Sequence, residues 1–213
     1  MISLGKPVQN SCAPPYGLFL DADGVLWQDR GPGGVLEVQE TSPDATSAIS
    51  RARGLLGDRL RVIVVSNQTC VSRGMCSETK LSQKFSELLL DSRIVDGIYL
   101  SVDHPEATII KYRKSTGWRK PAAGMFVAAA AEWRIALSES AMVGDRITDV
   151  IASTRAGISK NFLVLDDRSF ERNMDNVTPG SEGLSATFTP IHTLSEIDWT
   201  RIWASEKSVK PSG

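Results

Sequence analysis

Two aspartates, Asp21 and Asp23, stand one residue apart in the run Asp-Ala-Asp-Gly-Val, directly after a short apolar segment. Two carboxylates at this spacing leave the end of a strand in roughly the same direction, so they can share a hard divalent cation. One can also act as a nucleophile while the other transfers protons. Gly24 lets the chain turn away sharply. A solvated Asp-Gly turn has the same sequence, so this pattern alone leaves both interpretations open.

A second pair of aspartates follows another apolar segment, in the run Gly-Asp-Arg-Ile-Thr-Asp. Asp145 and Asp149 lie four residues apart and share a face if a helix begins at once. They could then complete an oxygen-rich metal site with Asp21. The alternative is purely structural, because any helix N-terminus favours carboxylates electrostatically.

Two further polar clusters could hold a phosphoryl group. Ser66 and Asn67 follow an apolar run, at a position where a hydroxyl and backbone N–H groups can bind phosphoryl oxygens. Lys120 supplies a point charge for a phosphate, and Pro121 after it is typical of the first position of a helix. Either cluster taken alone is also an ordinary polar junction.

The polar clusters follow or lie between short apolar runs that are typical of buried parallel strands. The runs are residues 18–20, 62–65, 97–100, 141–143 and 162–165, with a weaker sixth at 186–188. Helical patterns lie between them, at about residues 42–56, 77–89, 122–137 and 148–156. This alternation predicts an α/β fold, a Rossmann-like three-layer sandwich with a mainly parallel sheet. Ligands in such folds bind beyond the carboxyl ends of the strands.

The composition is that of an ordinary globular protein, with 41% hydrophobic and 23% charged residues in a chain of 213. The net charge of −1 gives no support to partners such as nucleic acid or a membrane surface. The N-terminus lacks the apolar core of a signal peptide, and the three cysteines fit a reducing interior, so we expect a cytoplasmic protein. We expect one domain over residues 16–204, between an irregular arm at 1–15 and a flexible tail at 205–213.

Taken together, the four clusters resemble in type and order the motifs of the haloacid dehalogenase-like (HAD) hydrolase superfamily. The resemblance covers about residues 17–167. The matching segments are D-x-D-G-[TV] at 21–25, the strand with Ser at 62–66, the motif lysine at Lys120 and G-D-x-x-x-D at 144–149. Two longer patterns resemble the motifs of one branch of this superfamily. They are Ser-Asn-Gln at 66–68 followed by Arg73-Gly74, and Arg-Lys-Pro at 119–121 followed by Gly124-Met125. That branch contains D-glycero-D-manno-heptose 1,7-bisphosphate phosphatases and histidinol-phosphate phosphatases.

The resemblance implies a Mg²⁺-dependent phosphatase. It implies that Asp21 forms an aspartyl-phosphate, that Asp23 is the general acid and base, and that Ser66 and Lys120 hold the transferring phosphoryl group. It implies that Mg²⁺ is bound by the carboxylates of Asp21 and Asp145 and by the backbone carbonyl of Asp23. It gives Asp149 an indirect role, either as a ligand through water or as a residue that orients the site. The residues it places against the rest of the substrate are Asn67, Arg73, Arg119 and Arg146.

Two features depart from the branch. Many relatives hold a zinc ion with cysteines and a histidine ahead of the Arg-Lys-Pro motif, but residues 101–118 contain His104 and no cysteine. We therefore expect no structural zinc, a loop 102–118 held by packing that includes Trp118, and a surface position for His104. Ala22 stands where an arginine is common, which leaves the fine specificity open. The intervals from Asp23 to Lys120 are too short for a large cap domain.

The leading hypothesis is a phosphatase for a phosphorylated sugar, with heptose bisphosphate as substrate, acting as a monomer or small homo-oligomer. The first alternative is a phosphatase of another small phosphorylated metabolite, such as histidinol phosphate. The others are a non-catalytic interaction domain with the same fold and a phospho-accepting receiver domain. The presence of every catalytic motif residue favours an enzyme, and Asp23 together with G-D-x-x-x-D favours a hydrolase over a receiver domain.

Overall fold

The computed structural model describes residues 1–7, 15–165 and 187–203, and this part of the chain contains seven strands and five helices. The strands are β1 (Ile2–Leu4), β2 (Tyr16–Leu20), β3 (Leu60–Asn67), β4 (Gly97–Ser101), β5 (Ala136–Gly144), β6 (Lys160–Val164) and β7 (Thr189–Ile191). The helices are α1 (Pro43–Leu56), α2 (Glu78–Phe85), α3 (Gly124–Trp133), α4 (Ile147–Ala156) and α5 (Trp199–Ile202), and a π-helical turn, Ser86–Leu90, follows α2 directly. None of these helices is long and apolar enough to span a bilayer.

One seven-stranded sheet organises the fold, with its strands in the order β1-β4-β3-β2-β5-β6-β7. Every neighbouring pair is parallel except β1 with β4. Leu20 at the end of the central strand β2 pairs with Val64 of β3 on one side and with Val143 of β5 on the other. The α/β fold with a mainly parallel sheet is thus confirmed, and the carboxyl ends of β3, β2 and β5 lie side by side.

Alternate residues of the central strands face two different helical layers. Leu18 and Leu20 belong to the core cluster that includes residues of α1 and α2. Phe19 points to the opposite face and packs against Phe126 of α3, with ring centroids 5.1 Å apart. All three β2 side chains are fully buried. Both faces of the sheet are therefore covered, which is why its strands are continuous apolar runs in the sequence.

Several helices begin or end at the residues that the sequence predicts. Pro43 stands at the start of α1, after Ser42 at the N-cap. The Ser77 hydroxyl accepts a hydrogen bond from the Lys80 N–H at 3.1 Å and caps α2. Gly157 ends α4 with φ 96°, a left-handed conformation that glycine adopts without steric cost.

The helix expected at 122–137 is shorter in the structure. Helix α3 ends at Trp133, and Arg134 turns the chain in a left-handed conformation with φ 58°. The chain turns there because Ala136 pairs with Tyr16 at the start of β5. Pro121 does not start the helix either, because α3 begins three residues later, at Gly124.

Two sheet edges also differ from expectation. Residues 2–4, in the arm expected to be irregular, form β1, and Ile2 is buried where it pairs with Leu100. The weak strand expected at 186–188 lies at Thr189–Ile191, paired with β6. Residue 186 and the expected tail 205–213 lie outside the described residues. The segments between β2 and β3 and between β3 and α3, all described, contain only helices α1 and α2, strand β4 and short helical turns.

Candidate active site

A polar cavity of about 370 Å³ lies at the carboxyl ends of the central strands. It is lined by almost all the residues predicted to form the site: Asp21, Asp23, Ser66, Asn67, Arg73, Arg119, Lys120, Arg146 and Asp149. The remaining one, Asp145, has a carboxylate oxygen within 4.8 Å of those of Asp21 and Asp149. The fold therefore brings all ten predicted residues together from widely separated parts of the chain.

Three buried carboxylates form the centre of the site. Asp21 follows β2, Asp145 follows β5, and Asp149 lies in the first turn of α4. Each offers an oxygen, and these oxygens all lie within 4.8 Å of one another. Asp21 is further fixed because its Oδ1 accepts a hydrogen bond from the Ala22 N–H at 2.7 Å.

Two glycines allow this close approach. Gly24 has φ 83°, and a Cβ built on it would lie 2.5 Å from Asp145 Oδ2. A Cβ on Gly144 would collide with the Cβ of Asp149. The glycines of both motifs therefore leave room for the carboxylates, and Gly24 in addition adopts a left-handed conformation.

Lys120 lies among the carboxylates as a buried cation. Its Nζ is 3.0 Å from Asp21 Oδ1 and 2.6 Å from Asp149 Oδ1, and it donates a hydrogen bond to the Val65 carbonyl at 2.8 Å. Burial alone would lower the pKa of Lys120, but the charges of Asp149 and Asp21 raise it above its ordinary value. Lys120 is therefore a permanent positive charge at the strand ends.

Asp149 has a partner on each carboxylate oxygen. Oδ1 pairs with Lys120, and Oδ2 accepts a hydrogen bond from the Arg146 N–H at 2.9 Å, which caps α4. Both interpretations of this aspartate therefore apply at once, since it stabilises a helix N-terminus and belongs to the acidic cluster.

Asp23 is held by two donors, one on each carboxylate oxygen. Trp27 Nε1–H donates to Oδ1 at 2.8 Å, and the Gln68 side-chain amide donates to Oδ2 at 2.6 Å. Burial first, and the charge of Asp21 next, raise the pKa of Asp23 from 3.8 to about 6, although the two hydrogen bonds oppose this shift. Asp23 can therefore both donate and accept a proton near neutral pH.

The acidic cluster has the donor chemistry of a site for a hard divalent cation. Burial, and then the charges of Asp21 and Asp149, raise the pKa of Asp145 to about 8. Carboxylates that repel one another in a buried site ionise fully when a divalent cation lies between them. Mg²⁺ prefers carboxylate and carbonyl oxygens, so the residues present fit this ion.

Three arginines line the same cavity as the carboxylates. Arg73, Arg119 and Arg146 all line it. Burial, and then the positive charges of Arg146 and Arg73, lower the pKa of Arg119. Arg146 is also tied to Asp29, whose Oδ2 lies 3.0 Å from its Nη2. The rim of the site thus carries three guanidinium groups, one of them paired with Asp29, and suits an anionic ligand.

Loop 102–118 is held to the rest of the fold by hydrogen bonds as well as by packing. The Tyr112 hydroxyl donates to Glu78 Oε1 of α2 at 2.6 Å, and the Ile109 N–H donates to the Ser72 carbonyl at 3.0 Å. Trp118 is partly buried and packs against the core cluster of the α3 face. His104 lies in this loop at a partly exposed position that lines the cavity.

Two further residues of the site carry no signal in the sequence. Trp27 reaches Asp23 through a turn, and Asp29 reaches Arg146 across 117 positions. Gln68 belongs to the Ser-Asn-Gln pattern, but its contact with Asp23 joins the ends of two different strands. The pairing of β2 with β3 brings Gln68 beside Asp23.

Comparison with known proteins shows relatives over most of the chain. The chain is 34% identical over 154 residues to a D-glycero-α-D-manno-heptose-1,7-bisphosphate 7-phosphatase from Burkholderia mallei, covering 70% of this chain and 79% of that protein. It is also 34% identical over 154 residues to a D-glycero-β-D-manno-heptose-1,7-bisphosphate 7-phosphatase from Vibrio cholerae, covering 69% and 80%. The model of the family described as HAD-hydrolase-like matches residues 117–178.

Solved structures agree with this fold. A protein from Mesorhizobium loti, described as a HAD-like phosphatase, superposes with a TM-score of 0.69 at 25% identity, covering 95% of this chain and 92% of that one. The D,D-heptose 1,7-bisphosphate phosphatase of B. bronchiseptica, crystallised with magnesium and phosphate, superposes with a TM-score of 0.68 at 21% identity, covering 89% and 99%. The second likeness concerns the fold alone.

Proposed function

The chain belongs to the D-glycero-D-manno-heptose 1,7-bisphosphate 7-phosphatase family of HAD-like hydrolases, and we propose that it removes a phosphate from a phosphorylated sugar through an aspartyl-phosphate. The chain is therefore a phosphoric monoester hydrolase. The observation that carries the mechanism is the contrast between two neighbouring carboxyl groups. Asp21 is ion-paired with Lys120, whereas burial and the charge of Asp21 raise the pKa of Asp23 to about 6. Carboxyl groups in such different environments suit a nucleophile and a proton carrier.

The proposed reaction has two steps. Asp21 attacks phosphorus, the bond from phosphorus to the sugar oxygen breaks, and Asp23 gives its proton to that leaving oxygen. Water then attacks the phosphorus of the aspartyl-phosphate, Asp23 takes the proton of the water, and inorganic phosphate leaves with Asp21 regenerated. The covalent intermediate divides one difficult hydrolysis into two easier displacements.

Lys120 and Ser66 are proposed to hold the transferring phosphoryl group. The Lys120 ammonium is fixed by three contacts, so it needs little rearrangement when negative charge develops on the phosphoryl oxygens. The Ser66 hydroxyl is buried at the end of β3 and lies 3.2 Å from the side-chain nitrogen of Gln68.

Asp21, Asp145 and the backbone carbonyl of Asp23 are the groups that we propose hold Mg²⁺. The ion, when bound, offsets the repulsion between the carboxylate nucleophile and the phosphate. We propose an indirect role for Asp149, because its two oxygens already pair with Lys120 and with the N-terminus of α4.

The cationic rim supports a substrate with a second phosphate. Arg73, Arg119 and Arg146 stand around one cavity, and a guanidinium group binds a phosphate through two parallel hydrogen bonds. The two relatives described above are bisphosphate 7-phosphatases. We propose that the substrate is D-glycero-D-manno-heptose 1,7-bisphosphate, hydrolysed in the cytoplasm. Histidinol phosphate has a single phosphate and leaves part of this rim unmatched.

A phosphate-release assay tests the proposal. The panel contains the heptose bisphosphate, histidinol phosphate and other sugar phosphates, each with Mg²⁺ and with EDTA, for the wild type and Asp21→Asn. We expect the highest kcat/KM for the bisphosphate, no turnover in EDTA and an inactive Asp21→Asn. A monophosphate with a higher kcat/KM would overturn the substrate and leave the chemistry standing, whereas an active Asp21→Asn would overturn the chemistry.

The arginines are tested separately. Arg119→Met should raise KM for the bisphosphate by about tenfold, the effect of losing one charged contact, and should change KM for 4-nitrophenyl phosphate much less. The matched control is Arg201→Met, because Arg201 is exposed and its charged partner is a surface aspartate, Asp198. An equal change for both substrates would contradict a second phosphate at Arg119.

A further inference from the structure

We propose that Trp27 and Gln68 are positioning residues that hold the carboxyl group of Asp23 in the orientation from which it exchanges protons with the reacting oxygens. The inference rests on the proposed role of Asp23 as acid and base. It concerns two residues, here called the Asp23 clamp, that were not among the residues predicted to form the site.

The Asp23 clamp acts on both oxygens of one carboxyl group. Trp27 Nε1–H reaches Oδ1 at 2.8 Å and the Gln68 amide reaches Oδ2 at 2.6 Å. A carboxyl group bound in this way cannot rotate or swing aside without losing a hydrogen bond. Each carboxylate oxygen accepts about two hydrogen bonds, so one donor on each still leaves room for a proton and a reacting oxygen.

Both members of the Asp23 clamp are themselves fixed. The Trp27 ring is buried and packs edge-to-face on Phe85 of α2, with centroids 5.7 Å apart. Its backbone carbonyl also accepts a hydrogen bond from the Gly24 N–H at 2.7 Å. The Gln68 side chain is buried, and its backbone N–H donates to Ser101 at the end of β4, at 2.8 Å. Donors held by neighbouring elements can impose an orientation, whereas mobile side chains cannot.

Asp23 needs such a restraint because its neighbours give it little support. The adjacent residues are alanine and glycine, whose side chains offer no hydrogen bond. The orientation of the carboxyl group therefore depends on donors from further along the chain, and the two clamp residues supply one to each oxygen.

Trp27→Phe and Gln68→Met each remove one donor to Asp23 and keep similar side-chain volume. Gln68→Met also removes the 3.2 Å contact of the Gln68 amide with the Ser66 hydroxyl, so Trp27→Phe is the more selective variant. The matched control is Trp203→Phe, since Trp203 is also buried and its Nε1–H donates to the Glu139 carbonyl at 2.9 Å, in a different part of the fold. Steady-state kinetics are measured on a sugar phosphate. Rapid-mixing experiments use 4-nitrophenyl phosphate, whose leaving group departs as an anion and needs no proton.

We expect both clamp variants to lower kcat on the sugar phosphate by about 10- to 100-fold, part of the ~10²–10⁴ that acid–base catalysis contributes, with KM little changed. With 4-nitrophenyl phosphate, the first burst of nitrophenolate should keep the wild-type rate. The later steady state should slow, and phosphorylated Asp21 should accumulate, because water activation still needs Asp23. Trp203→Phe should show neither effect.

Two outcomes would overturn the inference while the proposed function stands. One is a Trp27→Phe enzyme with the same kinetics as Trp203→Phe, which indicates a purely structural tryptophan. The other is a burst that slows together with turnover, which places the defect in the attack by Asp21. A folded wild-type protein that hydrolyses no phosphate ester overturns both the function and the clamp.

Discussion

The side-chain amide of Asn67 forms two hydrogen bonds with the backbone of Lys120, one with its N–H and one with its carbonyl. Asn67 Oδ1 accepts from the Lys120 N–H at 3.0 Å, and Asn67 Nδ2 donates to the Lys120 carbonyl at 3.0 Å. The end of β3 thus fixes the backbone of a residue 53 positions later. Asn67 therefore holds the backbone of Lys120 in place, in addition to lining the cavity.

We expect Asn67→Leu to lower kcat by about 10- to 100-fold, because the Lys120 ammonium loses its fixed position and part of its stabilisation of the phosphoryl oxygens. The free energy of unfolding should fall by about 1–3 kcal/mol, the cost of leaving buried backbone groups without partners. Steady-state kinetics and urea denaturation measure the two effects.

The control for Asn67→Leu is Asn161→Leu. Asn161 is also buried, and its amide donates to the Ile158 carbonyl at 3.2 Å, beyond α4. This variant should lose similar stability and keep its kcat. A change in KM alone for Asn67→Leu would show that Asn67 acts on the substrate directly.

Replacing Lys120 should affect both catalysis and stability. We expect Lys120→Met to lower kcat by at least ~10²–10³-fold, the loss typical of one preorganised charge at the reacting group. In EDTA the free energy of unfolding should fall by about 3–5 kcal/mol, because Asp21 and Asp149 lose a buried counter-charge. Thermal melting with EDTA and with Mg²⁺ measures this.

Mg²⁺ should stabilise Lys120→Met more than the wild type, since it supplies positive charge to the same carboxylates. The control is Lys160→Met, whose partner Glu139 lies at the surface, 3.4 Å away, so that this pair contributes at most about 1 kcal/mol. Equal melting of Lys120→Met and Lys160→Met in EDTA would contradict the electrostatic role of Lys120.

Gly24→Ala should weaken metal binding without unfolding the protein. The new Cβ would lie 2.5 Å from Asp145 Oδ2, so the Asp145 carboxylate must leave its position in the acidic cluster. We expect the Mg²⁺ concentration for half-maximal activity to rise by at least about tenfold, as for other displaced metal ligands. Titration calorimetry with Mg²⁺ measures the same change without substrate.

The control for Gly24→Ala separates collision from backbone strain. Gly157 also has a positive φ, 96°, but a Cβ there meets nothing within 4 Å. Both substitutions should cost about 1–3 kcal/mol for the left-handed backbone, and only Gly24→Ala should change Mg²⁺ binding. Unchanged Mg²⁺ affinity in Gly24→Ala would show that Asp145 is not a ligand.

The sequence predicted those features that arise from neighbouring residues. Runs such as 62–65 are apolar because both faces of the sheet are covered, so they predict buried strands, and the polar residues that follow them predict the site. Gly157 predicts the end of α4 because its conformation is local. Local patterns of this kind also placed the acidic pairs correctly at the strand ends.

Features that depend on contacts between distant segments were not predictable in this way. The alanine-rich segment favours a helix to 137, but strand pairing at Ala136 overrides that propensity. β1 has three residues and no pattern of its own, and it forms because β4 offers an edge. The bond from Gln68 to Asp23 joins the ends of β3 and β2, which lie side by side in the sheet, and the bonds from Asn67 reach Lys120, 53 positions later in the chain.

The Tyr112 hydroxyl ties the loop that carries His104 to the side chain of Glu78, at 2.6 Å. Tyr112→Phe should lower the free energy of unfolding by about 1.5–3 kcal/mol, the contribution of a hydrogen bond to a charged group. It should raise KM for the bisphosphate and keep kcat, because His104 and Arg119 become less fixed while Asp21 and Lys120 are untouched.

Tyr16→Phe is the matched control for that variant, because the Tyr16 hydroxyl also bonds a charged partner, Arg59, at 2.8 Å. Tyr16 lies at the start of β2, at the end of the strand opposite the site. It should therefore lose comparable stability and keep KM. If Tyr112→Phe lowers kcat and leaves KM unchanged, the loop orients the phosphoryl site, and its proposed effect on the rest of the substrate is wrong.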